Sequence, residues 1–462
     1  MEIGNPPPSK AGFTDSELEG MRPGPRDPAT FLPGSKDSKS VPSRLSAFRR
    51  SLGYTKSSEV AKKFPLSRRT RFRNGVLRFF MMKSFLPLFL LLSGLAGSAL
   101  AQERSLSEQA QRSLESEGLK LPLSWPSDVS LFIQPQGLQQ TAQNPWAPWP
   151  TLDWTTSTPQ AQGMDPQVLK QALQYAQDQD SKGIVVIRNG YLVGEWYGQG
   201  WNKDTKERGY SIAKSFSSCL LGMLIEQGTL GSVNDSAALY VPEWRDSSHG
   251  LVTLRNLLSM DSGLHWDPIS ELAFLLAADQ NAFAIGLSMD HPPCDEWLYH
   301  NAAVQVLSEV ILNATGKQPH ELARPYLWDK IGMWGAWWKT DQRGNTMTYQ
   351  SVYASAREFA KFGYLYLRNG EWDGEQLLSE SWVRESTRPS QYTNPFYGYL
   401  WWLNSGSLVM PDVPADAYMA AGANEKRIYV VPSLALIAVR LGNPSRSWDD
   451  NQFLGLICQS VL

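Results

Sequence analysis

The stretch GYSIAKSFSSCLLGMLIEQG at residues 209–228 combines a helical pattern with a pair of reactive side chains. Its apolar residues recur at the i, i+4, i+7, i+8 spacing of one helical face. They are Ile212, Phe216, Cys219, Leu220, Met223 and Leu224. Gly228 follows the last of them, and glycine is the residue that most often ends a helix. The pattern predicts a helix over residues 211–227 that opens on Ser211.

Ser211 and Lys214 form an S-x-x-K motif in the first turn of this helix. Residues i and i+3 share a helical face, so the lysine amine can reach the serine hydroxyl. A serine is a weak nucleophile until an adjacent base accepts its proton. A lysine can be that base when burial or nearby positive charge lowers its pKa from about 10.4. The alternative is an N-cap serine followed by a solvated lysine.

A second candidate site segment is Tyr299-His300-Asn301, which follows Trp297. A tyrosine can relay a proton if a neighbouring ammonium, such as that of Lys214, lowers its pKa. The alternative is a tyrosine packed in the core at the start of a helix.

A third candidate segment is Ala420-Ala421-Gly422-Ala423. A glycine lets backbone approach a substrate closely, and a neighbouring N–H can form half of an oxyanion hole. The alternative is an ordinary turn.

The elements around these segments predict an α+β fold. Asn189-Gly190, between two β-rich runs in GIVVIRNGYLVGEWYG (183–198), is a strong hairpin signal. A helix is expected before the hairpin, over 166–177, and a last helix at about 448–461. Strands are expected at 426–432 and 434–441. With residues 230–385 mainly helical, we expect a mostly antiparallel sheet built from N- and C-terminal strands, with a large helical region on one side.

Residues 160–462 resemble the β-lactamase-like serine hydrolases, in particular the class C β-lactamase, family VIII esterase and 6-aminohexanoate-dimer hydrolase branch. The S-x-x-K motif belongs to this superfamily. The matching stretches are residues 209–228, LRNLLSMDSGLHWD (254–267), WLYHNAAVQVLSEVILNATG (297–316), SAREFAKFGYLYLRNGEWDG (355–374), YGYLWW (397–402) and AAGANEKRIYVVPS (420–433).

The resemblance implies a role for each candidate site residue. Ser211 would be the nucleophile, Lys214 its base and Tyr299 the proton relay of a Y-x-N motif. Asn301 would orient the lysine or the substrate. The backbone N–H groups of Ser211 and Ala423, beside Gly422, would form the oxyanion hole.

The same resemblance contains one departure. Many β-lactamases have Lys-Thr-Gly or His-Thr-Gly where this chain has Ala420-Ala421-Gly422. The change removes a cation that would meet a substrate carboxylate. Trp401 and Trp402 follow Tyr397-Gly398-Tyr399 and are predicted to line an apolar pocket, with a place in the core as the alternative.

Charge and composition exclude several classes of protein. Residues 1–80 carry 16 Lys and Arg against 7 Asp and Glu, whereas residues 102–462 carry 26 against 38. An acidic body argues against a nucleic-acid partner, because phosphate binding needs a basic surface. The 5 histidines and 3 cysteines show neither metal-ligand spacing nor a disulfide framework. We therefore expect a small-molecule substrate and no metal or other cofactor.

The N-terminal region contains a predicted export signal. Residues 81–101 read MMKSFLPLFLLLSGLAGSALA, with Lys83 before an apolar run and Ala99-Leu100-Ala101 as a small-x-small cleavage site. Residues 1–80 are predicted to be disordered or an extension from a misassigned start. Residues 102–160 would be a lead-in segment and residues 161–462 the hydrolase domain. An uncleaved membrane anchor is the alternative, although the apolar run is short for a span.

The sequence predicts a serine hydrolase that forms an acyl-enzyme on small esters or linear amides. A β-lactamase or DD-peptidase, or a non-catalytic ligand-binding member of the same fold, remain alternatives. An α/β-hydrolase, suggested by Gly209-x-Ser211-x-Ala213, would place its histidine after the serine and near the chain end. Here the last histidine is His320, which argues against that fold.

Export gives the first testable prediction. In a bacterium with two membranes, the protein should be cut after Ala101 and accumulate in the periplasm or the medium, because residues 81–101 have the layout of a signal peptide. N-terminal sequencing of the purified protein checks this. Finding Met1 or Met81 on the bulk of the protein would contradict it.

Overall fold

The computed structural model describes residues 146–462. The helices are α1 (Pro166–Asp178), α2 (Ile212–Glu226), α3 (Leu254–Ser259), α4 (Pro268–Leu276), α5 (Gln280–Ile285), α6 (Asn301–Thr315), α7 (Pro319–Ala323), α8 (Asp329–Ile331), α9 (Ala356–Leu367), α10 (Glu380–Ser386) and α11 (Asp450–Gln459). The strands are β1 (Ser181–Arg188), β2 (Tyr191–Tyr197), β3 (Glu207–Arg208), β4 (Trp337–Trp338), β5 (Val352–Ala354), β6 (Glu371–Trp372), β7 (Glu375–Gln376), β8 (Trp402–Leu403), β9 (Tyr418–Gly422), β10 (Lys426–Val431) and β11 (Leu436–Gly442).

The main sheet joins the two ends of the domain. Its strand order is β2-β1-β11-β10-β9-β8, and all neighbouring strands are antiparallel. The predicted hairpin is confirmed: Asn189 and Gly190 both have positive φ, at 53° and 80°, as the turn requires. β1 then pairs with the late strand β11, with Val185 opposite Val439. The α+β fold is confirmed.

Helices cover both faces of this sheet. α1 and α11 pack together on one face. α9 and α2 lie against the other, and there a Cβ on Gly363 of α9 would be 2.9 Å from Ile428 of β10. The large helical region is therefore on the α9 side, while the first and last helices close the opposite side.

The nucleophile helix α2 is buried all round rather than along one stripe. Every residue from Ile212 to Leu224 is buried. The serines on its other faces are accommodated because Ser215 donates to the carbonyl of Leu400 at 2.8 Å and Ser217 to that of Thr348 at 2.6 Å. A helix with this environment is fixed on all sides, which holds its first turn in place.

The third sequence motif lies in a strand, not in a loop before one. Ala420, Ala421 and Gly422 belong to β9, with Gly422 opposite Lys426 of β10. The turn comes after them, where Asn424 and Glu425 have φ of 62° and 49°. Two alanines and a glycine carry no strand signal in the sequence, so their conformation is decided by pairing with β10.

Two sequence predictions lie outside the described residues: the 1–80 extension and the signal peptide at 81–101. The described part of the lead-in segment packs on the domain, where the buried Trp154 ring lies 5.5 Å from that of Tyr364. Within residues 146–462, none of the helices combines the length and apolar character that crossing a bilayer requires. Cys219, Cys294 and Cys458 are free thiols.

Candidate active site

The turn that presents Ser211 is held by backbone pairing. Tyr210 has a φ of 48°, which is uncommon for a bulky residue. The flanking groups are fixed, because Gly209 N–H donates to Val352 at 2.8 Å and Tyr210 accepts from Ser351 N–H at 3.0 Å. The Ser211 side chain makes no capping hydrogen bond to the helix. Ser211 is the N-cap residue of α2 by position, but its side chain does not cap the helix, and its Oγ lies 3.1 Å from Lys214 Nζ.

Lys214 is buried, with 2% of its surface exposed. Besides Ser211 Oγ, its amine donates to Asn301 Oδ1 at 2.7 Å and to the carbonyl of Tyr349 at 3.0 Å. The alternative of a solvated lysine is wrong. The first and second sequence motifs, 87 residues apart, meet at this amine.

Tyr299 and Asn301 approach Lys214 from the start of α6. The amine lies 4.6 Å from the centroid of the Tyr299 ring. Between them, His300 caps α6 by accepting the N–H of Ala303 at 3.0 Å. The preceding segment is fixed by Met260, whose carbonyl accepts from Leu298 N–H at 2.9 Å. The half-buried Tyr299 thus stands beside the serine and lysine pair rather than in the core.

Two groups at this site were not predicted from the sequence. Glu271 of α4 is buried and accepts from Asn301 Nδ2 at 3.0 Å. The Tyr349 carbonyl is a backbone group, and no side-chain pattern can mark it. Asp267 and Pro268 do carry an N-cap signal for α4. Nothing in the local sequence indicates that Glu271 turns inward.

Gly422 lies against the turn of the nucleophile. A Cβ at this position would be 2.1 Å from the Gly209 carbonyl oxygen and 3.3 Å from Ser211 N. Real Cβ atoms do not make such contacts, so only glycine fits. The glycine therefore allows one backbone segment to approach another, and the buried Ala423 follows it in the chain.

The two cations after this motif point to opposite faces of the sheet. Lys426 forms an ion pair with Glu207 at 2.5 Å and lies 4.8 Å from the centroid of the Tyr210 ring. Arg427 pairs with Asp450 of α11 at 3.1 Å. Of the two, only Lys426 lies on the side of Ser211, as the alternation of side chains along a strand predicts. Its charge is already paired with that of Glu207.

The two tryptophans have different places. Trp402 stacks on Tyr299 with a centroid distance of 5.9 Å and an interplanar angle of 21°, and Trp297 meets it edge-on at 6.1 Å. Trp401 is fully buried and packs on Tyr366 at 4.5 Å. The pocket prediction is therefore wrong for Trp401, which lies just before β8 and has its ring in the core. Trp402 belongs to an aromatic wall beside Tyr299.

Comparison with known proteins gives the family. The sequence model of the beta-lactamase family matches residues 166–449.

The chain belongs to the beta-lactamase family.

Within this superfamily of serine hydrolases, the chain is similar to the 6-aminohexanoate-dimer hydrolase of Paenarthrobacter ureafaciens. The two are 24% identical over 300 residues, which cover 58% of this chain and 72% of that protein.

Solved structures share the fold of this beta-lactamase family member. A penicillin-binding protein homologue from Caulobacter crescentus has a TM-score of 0.54 at 15% identity, over 65% of this chain and 99% of that one. A family VIII carboxylesterase has a TM-score of 0.53 at 17% identity, over 64% of this chain and 97% of the other. The protein is a hydrolase of the serine beta-lactamase superfamily, and its antiparallel sheet excludes the α/β-hydrolase alternative.

The site holds no cluster of metal-ligating side chains. Across residues 146–462, no group of three or more His, Cys, Asp or Glu is arranged to bind a metal ion. The reactive groups brought together are a hydroxyl, an amine, a phenol and an amide.

His300, which fixes the start of α6, links stability to pH. Burial lowers the pKa of His300 to about 3, whereas an unfolded histidine titrates near 6.5. Below about pH 6.5 the unfolded chain therefore binds a proton that the folded chain refuses until about pH 3. The contribution of the neutral His300 to the free energy of unfolding is complete above pH 6.5. It decreases as the pH falls, by roughly 1.4 kcal/mol per pH unit.

We expect His300→Asn, which keeps an N-capping acceptor, to reduce this slope. Urea unfolding at pH 7.5 and pH 5 measures it, with His291→Asn, at an exposed position, as control. Burial raises the pKa of Asp261 to about 6, which acts in the opposite direction but equally in all three proteins. An unchanged slope in His300→Asn would contradict the assignment.

Proposed function

We propose that this protein hydrolyses small esters or linear amides through an acyl-enzyme formed on Ser211. The observation that carries the proposal is the contact of the buried Lys214 amine with Ser211 Oγ at 3.1 Å. A base at this distance can accept the hydroxyl proton as the oxygen attacks a carbonyl carbon.

The ammonium that forms has acceptors already in place. Asn301 Oδ1 and the Tyr349 carbonyl lie 2.7 and 3.0 Å from Nζ. Such preorganised groups stabilise charge that develops in the transition state. Tyr299, with its ring 4.6 Å from the amine, relays the proton onward to the leaving alcohol or amine.

The oxyanion would be held by the backbone N–H groups of Ser211 and Ala423. The close approach of Gly422 to the Ser211 turn supports this pairing, because it brings β9 and the nucleophile into backbone contact. Collapse of the tetrahedral intermediate expels the leaving group and leaves an ester on Ser211. Water then attacks that ester and gives its proton to the amine and phenol, which pass it to Ser211 Oγ as the bond to the acyl group breaks and the acid leaves.

The charges around the site support a substrate without a carboxylate near the scissile bond. Ala420 stands where a related enzyme would have a cation, and the Lys426 ammonium is paired with Glu207 at 2.5 Å. The uncharged ring of Tyr299, stacked on the buried Trp402, instead lies beside the amine. A relative named for hydrolysis of a linear amide dimer points the same way. A β-lactamase or DD-peptidase would need another cation for the carboxylate of its substrate.

Removal of the nucleophile should abolish activity. We expect Ser211→Ala to lose hydrolysis by on the order of 10⁴-fold or more and Lys214→Ala to lose nearly as much, because residues acting as a unit are not additive. Both should fold. Hydrolysis of p-nitrophenyl butyrate and labelling by a fluorophosphonate probe measure this, and labelling of the wild-type protein also excludes a non-catalytic member of the fold.

Ser218→Ala is the matched control. Ser218 is buried in the same helix, and its hydroxyl has no hydrogen-bond partner among the described residues, so activity should persist. Chelators should have no effect. Turnover by Ser211→Ala, or activity lost with EDTA and restored by a divalent metal, would contradict the proposal.

Substrate class gives a separate prediction. Catalytic efficiency should be higher for p-nitrophenyl butyrate or a linear aminohexanoate dimer than for a chromogenic cephalosporin, because Ala420 offers no charge and the Lys426 ammonium is already paired with Glu207. Steady-state kinetics on the three substrates, with Ser211→Ala as the background, measure the order. A cephalosporin preferred by tenfold, about 1.4 kcal/mol in transition-state binding, would overturn this assignment.

A further inference from the structure

We propose that Glu271 is a positioning residue that orients Asn301 and favours the protonated form of Lys214. This inference rests on the proposed function, since it assigns a role within the same site. Glu271 lies on α4, outside all three sequence motifs, and has only 4% of its surface exposed. Ile269 and Leu276 of the same short helix are exposed, so the helix turns its carboxylate inward and two of its apolar side chains outward.

A chain of two hydrogen bonds connects the carboxylate to the amine. Asn301 Nδ2 donates to Glu271 Oε1 at 3.0 Å, and Asn301 Oδ1 accepts from Lys214 Nζ at 2.7 Å. Asn301 is itself buried. The path from the carboxylate to the amine therefore runs through one amide group within the protein interior.

The chemistry of an amide makes this order directional. A carboxylate only accepts hydrogen bonds, so it holds the NH₂ end of Asn301 towards Glu271. The carbonyl end is then presented to Lys214, whose ammonium only donates. If the amide were reversed, its NH₂ group would face the Lys214 ammonium, and neither group could accept a hydrogen bond from the other. Glu271 thus keeps Asn301 in the one orientation that accepts a hydrogen bond from the ammonium.

The carboxylate also acts through its charge. Two phenols also face the amine, those of Tyr299 and Tyr349, with ring centroids 4.6 and 5.7 Å from Nζ. Burial raises the pKa of Tyr349 well above its ordinary value, so that phenol is neutral. The Arg208 guanidinium donates to the side chain of Gln350, the residue after Tyr349. A negative charge at Glu271 stabilises the ammonium that appears when Ser211 gives up its proton.

The two effects separate in two variants. Glu271→Gln keeps an oxygen that accepts from Asn301 but removes the charge. Lys214 then loses its proton more readily, so the acid limb of the kcat profile should move to lower pH by about one unit. Its plateau should fall several-fold, because a less basic amine is a weaker proton acceptor. KM should stay constant, since Glu271 is not expected to touch substrate.

Glu271→Ala removes the acceptor as well as the charge. Its kcat should lie about tenfold or more below that of Glu271→Gln, the loss expected for a hydrogen bond within a charged network. A kcat of Glu271→Gln that lies between those of Glu271→Ala and the wild-type protein would separate the effect of orienting Asn301 from the effect of the negative charge. Glu309→Gln is the matched control, because Glu309 of α6 accepts from Asn281 Nδ2 at 2.8 Å without contacting Lys214.

The experiment is a pH series of p-nitrophenyl butyrate hydrolysis and of fluorophosphonate labelling, with urea unfolding to verify each variant. If Glu271→Ala does not fold, the glutamine variant carries the test. An acid limb that stays in place in Glu271→Gln, or that moves equally in Glu309→Gln, overturns the inference. The proposed function still stands in that case if the wild-type protein is active and is labelled, and if Ser211→Ala loses both properties. Absence of both in the wild-type protein would instead refute the function.

Discussion

A buried lysine amine is the constraint on which the site depends. An ammonium removed from water costs several kcal/mol unless it is paired and hydrogen-bonded. Lys214 therefore requires its acceptors, and they come from distant parts of the chain: Ser211, Asn301 and the Tyr349 carbonyl. The amine holds the nucleophile helix, the start of α6 and the segment before β5 in register. The contact that would activate the serine is thus also one that stabilises the domain.

A second constraint is the approach of two backbone segments. Gly422 of β9 lies so close to the Gly209 carbonyl that no side chain fits. Tyr210 adopts a left-handed conformation between them, and pairing of Gly209 and Tyr210 with Val352 and Ser351 holds it there. Strain of this kind persists where the surroundings determine it and often lies at functional sites. The end of β9 and the nucleophile turn are therefore held against each other.

Reactive groups and recognition groups are separable in this protein. The hydroxyl, amine and amide of the reactive set are buried, and the phenol of Tyr299 beside them is half-buried. Next to this set lie the paired Lys426 and the aromatic wall built on Trp402. Specificity in such a site depends on charge and shape at the wall, whereas the proton transfers depend on the buried network.

The sequence by itself determined the elements with strong local signals. The Asn189-Gly190 hairpin, the helix after Ser211, the late strands β10 and β11 and the reactive pair three residues apart are all local patterns, and they lie where predicted. The structure decided what depends on long-range packing. Trp401 and Trp402 are alike in sequence, but tertiary packing places the first in the core and the second beside Tyr299.

Glu271 and the Tyr349 carbonyl illustrate the same limit. A glutamate in a short helix is most often solvated, and a backbone carbonyl carries no residue signature. Each reaches the site only because α4 and the segment before β5 pack against α2 and α6. The reactive residues could be identified from the sequence because their spacing is local, whereas their buried partners are set by tertiary contacts that no local pattern encodes.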